Sequence, residues 1–557
     1  MSPSFMKLAA IISLLLLLLP VTLVDGFTTP TRLVSRRPAS CFHKKAIVDR
    51  SQRYMATKAE DKAEIANLEE TIIAEDEEED RFKSEIYVLT QAAFIGILSG
   101  WSVGIFKLSI EAVRRFSYGL VLAHSPFLSP LIPALGGVAV GLLSLLGSFP
   151  PGLLGTVQAV DAQAESSDHH ATRVGGLSFL RKAVAAVCTL GTGASLGPEG
   201  PSVEVGMSMS RIFINEFPLE SDSVESKKMR SRLLLACGAA AGMSAGFNAP
   251  IAGVFFALEI VQGAFSGLAS KSEETIATAT SGNISAILLA SVLSALTSKT
   301  LLGDHLVFEL HEYTLRTPLV ELPLYLLLGA VSGLVAFGFS QAATISRNVF
   351  DGQAGPESLR CFAEKLPDPA KPVIGGLICG LVGLVFPQIL FFGYETLNGL
   401  LANSSLPTAL LLSLLLVKIF TTAISAGSGL VGGTFAPSLF MGGMVGASFH
   451  NIMSWLFCFA SGGDAVQILA GGPLLALADV PAYAMVGAAS VLAALYRAPL
   501  TASLLLFELT RDYDVILPLM ASAGVGSLVS DLVEQKFKRL TRDKDAVSWG
   551  DLADKSK

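Results

Sequence analysis

Glu199 stands in the run Gly197-Pro198-Glu199-Gly200-Pro201, within a glycine-rich stretch that begins near Leu190. Glycine lets a backbone approach a ligand closely, and proline is at home in the first turn of a helix. A helix opening here, at Pro201, presents unpaired N–H groups and roughly half a unit of positive charge to whatever lies in front of it. Such groups suit a negative ligand. The run Gly433-Thr434-Phe435-Ala436-Pro437 has the same build without the acid, and a second helix is expected to open at Pro437. Several partial charges hold an anion and still release it, as a fixed full charge does not. Each charge-assisted N–H bond contributes about 1.5–3 kcal/mol, so a few offset much of the dehydration cost. The Glu199 carboxylate can take the place an anion would use. The plainer reading of these glycines is close helix packing; an acid at membrane depth weighs against it. Glu204, Glu259 and Glu508 are further acids, of which Glu259 and Glu508 suit structural roles near helix ends.

The elements that position these residues are membrane elements. The chain has 557 residues, 51% of them hydrophobic and 16% charged, with a mean hydropathy of +0.57. Apolar stretches of spanning length include Ile86–Phe106, Pro130–Leu146, Ala277–Leu296, Pro323–Phe339, Pro372–Leu390 and Leu406–Ile424. Many are broken by some of the 52 glycines and 26 prolines. Interrupted backbone at membrane depth is tolerated where protein buries it or where it lines a polar cavity, so the breaks point to a transport site.

The chain also contains itself twice. At an offset of 236, Gly191, Gly193, Gly197, Pro201, Ser202 and Gly206 fall on Gly427, Gly429, Gly433, Pro437, Ser438 and Gly442. At an offset of 249, Ala249, Pro250 and Glu259 fall on Ala498, Pro499 and Glu508. Internal repeats with interrupted segments at matching positions point to a site near the bilayer midplane, commonly through inverted topology.

The motifs resemble those of the chloride channel (CLC) family. Gly197-Pro198-Glu199-Gly200-Pro201 resembles its G-[K/R]-E-G-P, and Gly433-Thr434-Phe435-Ala436-Pro437 its G-x-F-x-P; Phe247-Asn248-Ala249-Pro250 and Arg497-Ala498-Pro499-Leu500-Thr501 add two signatures in order. The likeness covers about residues 85–539. It implies an all-α integral membrane protein of two inverted halves, with about eighteen tilted or re-entrant helices. It also implies a homodimer with one pore per subunit, conducting chloride or nitrate through the lipid bilayer. Glu199 is then the gate, and the anion is met by Pro151, Gly152, Gly197, Pro198, Gly200, Gly433, Thr434, Phe435 and Ala436, with the amides of Thr434 and Phe435 at the central site.

Several positions depart from the family pattern. Pro198 replaces the usual basic residue beside the gate. The first anion motif is reduced to Phe149-Pro150-Pro151-Gly152-Leu153-Leu154. Pro151, where chloride-preferring members carry serine, has neither N–H nor hydroxyl. Nitrate-accumulating plant members carry proline there. The family's anion-coordinating tyrosine has no counterpart, since ungapped extension from Arg497 reaches Arg539. Ile260 occupies the place of the inner proton-relay glutamate, which favours an uncoupled channel over a proton-coupled antiporter. Only twenty residues follow Phe537, so the paired nucleotide-binding (CBS) domains of many members are not expected.

Outside the membrane domain, expected over 85–540, the chain reads as address and solvated tail. Lys7 and the apolar run Leu8–Leu19 form a signal peptide over 1–26. The segment 27–58 carries eight basic residues against the single acid Asp49, the composition of a transit peptide. Together they resemble the bipartite leader of algae with secondary plastids, with an endomembrane route as the alternative. An acidic segment, 59–84, follows, and a polar tail closes the chain at 541–557. Lys536, Lys538, Arg539, Arg542 and Lys544 place the C-terminus on the stromal or cytosolic side.

No cofactor, metal or nucleic acid is expected. The six cysteines have neither zinc spacing nor a disulfide pattern, and His169–His170 sits in a polar loop. An enzymatic phosphate loop at Gly191–Gly200 would need a Gly-Lys-Ser/Thr ending that is not there.

Overall fold

The computed structural model describes residues 61–124, 129–150, 152, 155–157, 173–217, 224–262, 281–303, 318–404, 406–460 and 477–554. The expected leaders over 1–26 and 27–58, Pro151 and His169–His170 lie outside them. The chain divides into a unit ending at Thr90 and a larger one from Gln91, which holds the features below.

Among the described residues the fold is all helical. The first half comprises α1 (Asp61–His124), α2 (Leu131–Leu145), α3 (Arg173–Gly191), α4 (Glu199–Glu216), α5 (Val224–Phe247), α6 (Pro250–Phe256, continued by a π turn Ala257–Gln262) and α7 (Ser281–Leu302). The second comprises α8 (Pro318–Phe350), α9 (Glu357–Lys365), α10 (Lys371–Val385), α11 (Tyr394–Leu401), α12 (Thr408–Gly427), α13 (Phe435–Ala460), α14 (Val480–Tyr496), α15 (Pro499–Thr510) and α16 (Ile516–Asp554). The acidic segment expected over 59–84 is helical from Asp61 and runs unbroken into the first span.

Six described helices are long and apolar enough to cross a membrane: Phe82–Gly119, Asn283–Leu302, Glu321–Phe350, Asp368–Val385, Thr408–Gly427 and Ile516–Leu540. Pro130–Leu146 differs from expectation. It yields only the 15-residue α2, about 22 Å long at 1.5 Å per residue and short of the roughly 30 Å hydrocarbon core. Short helices of this kind must be surrounded by protein, and seven of the residues of α2 are buried.

Contacts repeat between the halves with exchanged partners. A Cβ added to Gly137 would lie 2.3 Å from the Pro372 carbonyl oxygen, and one added to Gly376 would lie 2.2 Å from that of Pro133. Gly141 meets Pro369 and Gly380 meets Pro130 in the same reciprocal way. Helices α2 and α10 therefore cross about a local two-fold axis, at a separation only glycine permits. The dihedral angles repeat too: Asn248 and Arg497 have φ of 58° and 56°, and Gly193 and Gly429 have φ of 93° and 91°.

The matched acids complete the symmetry. Glu508 accepts from the amides of Ile251 (2.9 Å) and Ala252 (2.7 Å), at the start of α6. Glu259 accepts from the amides of Leu500 (3.0 Å) and Thr501 (2.7 Å), at the start of α15, and from the Thr501 hydroxyl (2.6 Å). Each half thus caps the other's helix, because a carboxylate satisfies amides that a helix start leaves unpaired. Glu259→Ala and Glu508→Ala should each destabilise the protein by about 1–3 kcal/mol, read as a lowered unfolding midpoint in detergent. A midpoint unchanged in both would remove the mutual capping as a stabilising contact.

Candidate functional site

Two helix starts meet head to head. Gly197 N–H donates to the Gly433 carbonyl at 2.8 Å, and Gly433 N–H donates to the Gly197 carbonyl at 2.7 Å. These two glycines are the equivalent positions of the repeat, and they form the one isolated β-bridge among the described residues. A symmetric contact between equivalent residues lies on the pseudo-two-fold axis. Both glycines are required sterically: a Cβ on Gly433 would stand 2.7 Å from the Gly200 nitrogen, and one on Gly197 would stand 2.3 Å from Glu199 Oε2.

The helices open two residues earlier than the prolines imply, at Glu199 and Phe435 rather than Pro201 and Pro437. The reason is local. The first intrahelical bonds are Ser202 N–H to the Pro198 carbonyl (2.9 Å) and Ser438 N–H to the Thr434 carbonyl (3.0 Å), so each proline falls in the first turn, where no donor is needed. That leaves the amides of Glu199, Gly200, Phe435 and Ala436 without intrahelical acceptors, directed into the junction of the two halves.

Glu199 lies at this junction and is 2% exposed. The Tyr394 hydroxyl donates to its Oε1 at 2.5 Å, while Oε2 is buried without a hydrogen-bond partner. Pro198 caps α4. A basic side chain reaches this region from elsewhere: Lys107 of α1 is within electrostatic reach of Glu199 and donates to the Gly246 carbonyl.

Tyr394 is held by a closely built loop. The fully buried Lys418 of α12 donates to the carbonyls of Ile389 (2.9 Å) and Phe391 (3.1 Å), with its ammonium 5.1 Å from the centre of the Phe440 ring. Phe391 N–H donates to the Gly193 carbonyl (3.3 Å), and the Arg114 guanidinium lies 4.5 Å over the Phe391 ring. Gly393, with φ of 82°, turns the chain into α11.

A second phenol stands at the other loop. Tyr496 ends α14, and its hydroxyl is 2.7 Å from Thr434 Oγ1. Its ring packs 4.0 Å, centre to centre, from Phe435, which Phe256 (5.9 Å) and Phe247 (6.3 Å) also contact. Arg539, reached by sequence extension where the family tyrosine is expected, is exposed. The offset of 249 that places Phe247 over Tyr496 is the signal that marks this position as the repeat partner of an aromatic residue.

The structure therefore brings Gly197, Pro198, Glu199 and Gly200 together with Gly433, Thr434, Phe435 and Ala436. Gly152 is not part of this group. It is exposed, and its nearest side-chain neighbour is Glu204, one turn and more further along α4. Glu204 pairs with Lys182 at 2.8 Å, and Lys182 also donates to the Pro150 carbonyl at 3.1 Å. Among the described residues no group of His, Cys, Asp and Glu is placed to hold a metal ion.

The family model described as voltage gated chloride channel matches residues 155–531. The chain belongs to this family. The CLC assignment extends to individual relatives. "Chloride channel protein CLC-e" of Arabidopsis thaliana is 35% identical over 81% of this chain and 61% of its own length. "Chloride channel protein CLC-f" of the same plant is 34% identical over 87% of this chain and 60% of its own. The chain thus spans about three fifths of these two relatives. A crystal structure of a slow cyanobacterial Cl–/H+ antiporter superposes with a TM-score of 0.61 at 25% identity, covering 80% of this chain and 94% of the other. The fold is the CLC fold.

Gly433→Ala should separate the paired loops, because its new methyl meets backbone rather than a movable side chain. The expected result is an anion flux reduced at least tenfold in liposomes with the protein still folded. Wild-type flux in that variant would mean that the junction tolerates what the geometry forbids.

Proposed function

We propose that this multi-pass membrane protein is an anion channel, with chloride as the default substrate, and that Glu199 is its gate. The observation that carries the reading is a carboxylate buried where two opposed helix starts converge. The surrounding amides and hydroxyls suit negative charge, and the one acid among them occupies the space a permeating anion needs. Protonation or displacement of that acid would then free the path.

A second reading, a proton-coupled antiporter, draws on the similar structure of a slow cyanobacterial Cl–/H+ antiporter. A coupled mechanism needs a second proton carrier. Ile260, in the π turn after α6, cannot serve. Glu204, the nearer of the two other acids on the gate's own helix, is tied in a salt bridge to Lys182. The channel reading leads for that reason.

The wider assignment rests on the leader sequence and the resemblance. It comprises a plastid membrane of an alga with a secondary plastid, a homodimer with one path per subunit, and transport of nitrate beside chloride.

Glu199→Gln mimics the protonated gate. Anion flux in liposomes should rise several-fold at neutral pH and lose its pH dependence, and an unchanged flux and pH response would remove Glu199 from the role. Simultaneous pH recording should detect no uphill proton movement driven by an anion gradient, whereas reproducible proton pumping would establish exchange. Pro151→Ser adds a hydroxyl donor at the first anion motif, so the chloride-to-nitrate permeability ratio should rise about two- to tenfold, the range of one added neutral hydrogen bond. An identical ratio in both proteins would refute a selectivity role for Pro151.

A further inference from the structure

We infer that the Tyr394 hydroxyl is itself an anion ligand: it binds the Glu199 carboxylate in the closed state and the permeating anion once that carboxylate leaves. The inference rests on the gate reading above and adds to it a residue outside the four sequence motifs that carry the family resemblance.

A buried carboxylate oxygen and a halide or nitrate oxygen make the same demand on their surroundings, which is for donors to stand in for water. The Tyr394 hydroxyl donates to Glu199 through Oε1. Oε2, the other oxygen, is buried beside Gly197 and faces the start of α13 at Ala436. The site therefore offers one fixed hydroxyl together with the unpaired amides of two helix starts. When the carboxylate moves out, that hydroxyl loses its short bond to Glu199 Oε1, in a buried place where a charged acceptor is favoured. An anion entering the vacated position restores the bond.

The phenol is built to stay behind. It opens α11 directly after Gly393, whose positive φ fixes the turn, and a Cβ on that glycine would collide with the Phe440 ring at 2.4 Å. Lys418 clamps the preceding carbonyls, and the Phe392 ring lies 5.8 Å from that of Tyr394. These contacts hold the backbone and ring independently of Glu199. Carboxylate and anion then compete for one hydroxyl, so occupancy of the position is exclusive, as gating by displacement requires.

The test compares chloride binding by calorimetry on the purified full chain, with Tyr394→Phe made in wild type and in a Glu199→Ala background where the gate is gone. In the Ala background, Tyr394→Phe should weaken chloride binding about tenfold, the scale of one hydrogen bond to a charged group. In wild type the same change should raise anion flux at neutral pH, because the closed gate loses its partner. Chloride affinity unchanged by Tyr394→Phe in the gateless protein overturns the proposal, even if the wild-type gate loosens, since the phenol would then only latch the gate. If Glu199→Ala by itself leaves flux and pH response untouched, the gate reading falls, and the binding comparison still decides the role of Tyr394. Glu199→Gln is the alternative background should the Ala protein not fold.

Discussion

Two backbone hydrogen bonds between Gly197 and Gly433 hold the centre of this protein together. They join the one place where both halves present helix starts, and they require that no side chain stand on either residue. Without that pairing the positive ends of α4 and α13 would face protein or lipid separately. With it, their unpaired amides share a single small volume, and the helix dipoles add there instead of being dispersed. The opposition of two like dipole ends is unfavourable by itself, which is why an acid at the junction suits the folded state as well as any ligand that replaces it.

The rest of the architecture serves that junction. Reciprocal capping by Glu259 and Glu508 fixes the starts of α6 and α15 across the symmetry axis, and the glycine-lined crossing of α2 and α10 repeats the same logic with carbonyls and prolines. Each contact occurs twice because the chain is duplicated. Departures from the symmetry concentrate at the junction: Glu199 faces no second acid, since Phe435 occupies the matching position, and Tyr496 takes the place where the first half has Phe247. A symmetric frame thus carries an asymmetric centre, whose two sides differ chemically.

Buried charge is distributed sparingly around this centre. Lys418 is wholly buried, yet two carbonyls and an aromatic face accept its ammonium, so it acts as a structural bracket for the loop that carries Tyr394. Lys107 brings a basic side chain within electrostatic reach of Glu199 from a different helix. Both amines are tied to backbone carbonyls, so each is held in place by the fold.

The duplication, the membrane class and the two glycine-rich helix starts were legible in the sequence because they depend on local pattern: hydropathy over about 20 residues, and glycine and proline at fixed spacing. Glu199 was legible as well, being an acid inside a run otherwise suited to anions. What the sequence left open is what depends on distance across the fold. Tyr394 lies 195 residues from Glu199, in a stretch with no motif, and only the packing of α11 against the junction makes its hydroxyl a partner. Tyr496, Lys107 and Lys418 were hidden for the same reason. The exact helix starts also waited for the structure, since a proline is accepted at any position of the first turn. Local sequence thus determined which segments form helices and where they break; the tertiary structure decided which side chains meet at the break, because hydrogen bonds and charges act over a few ångströms of space and not along the chain.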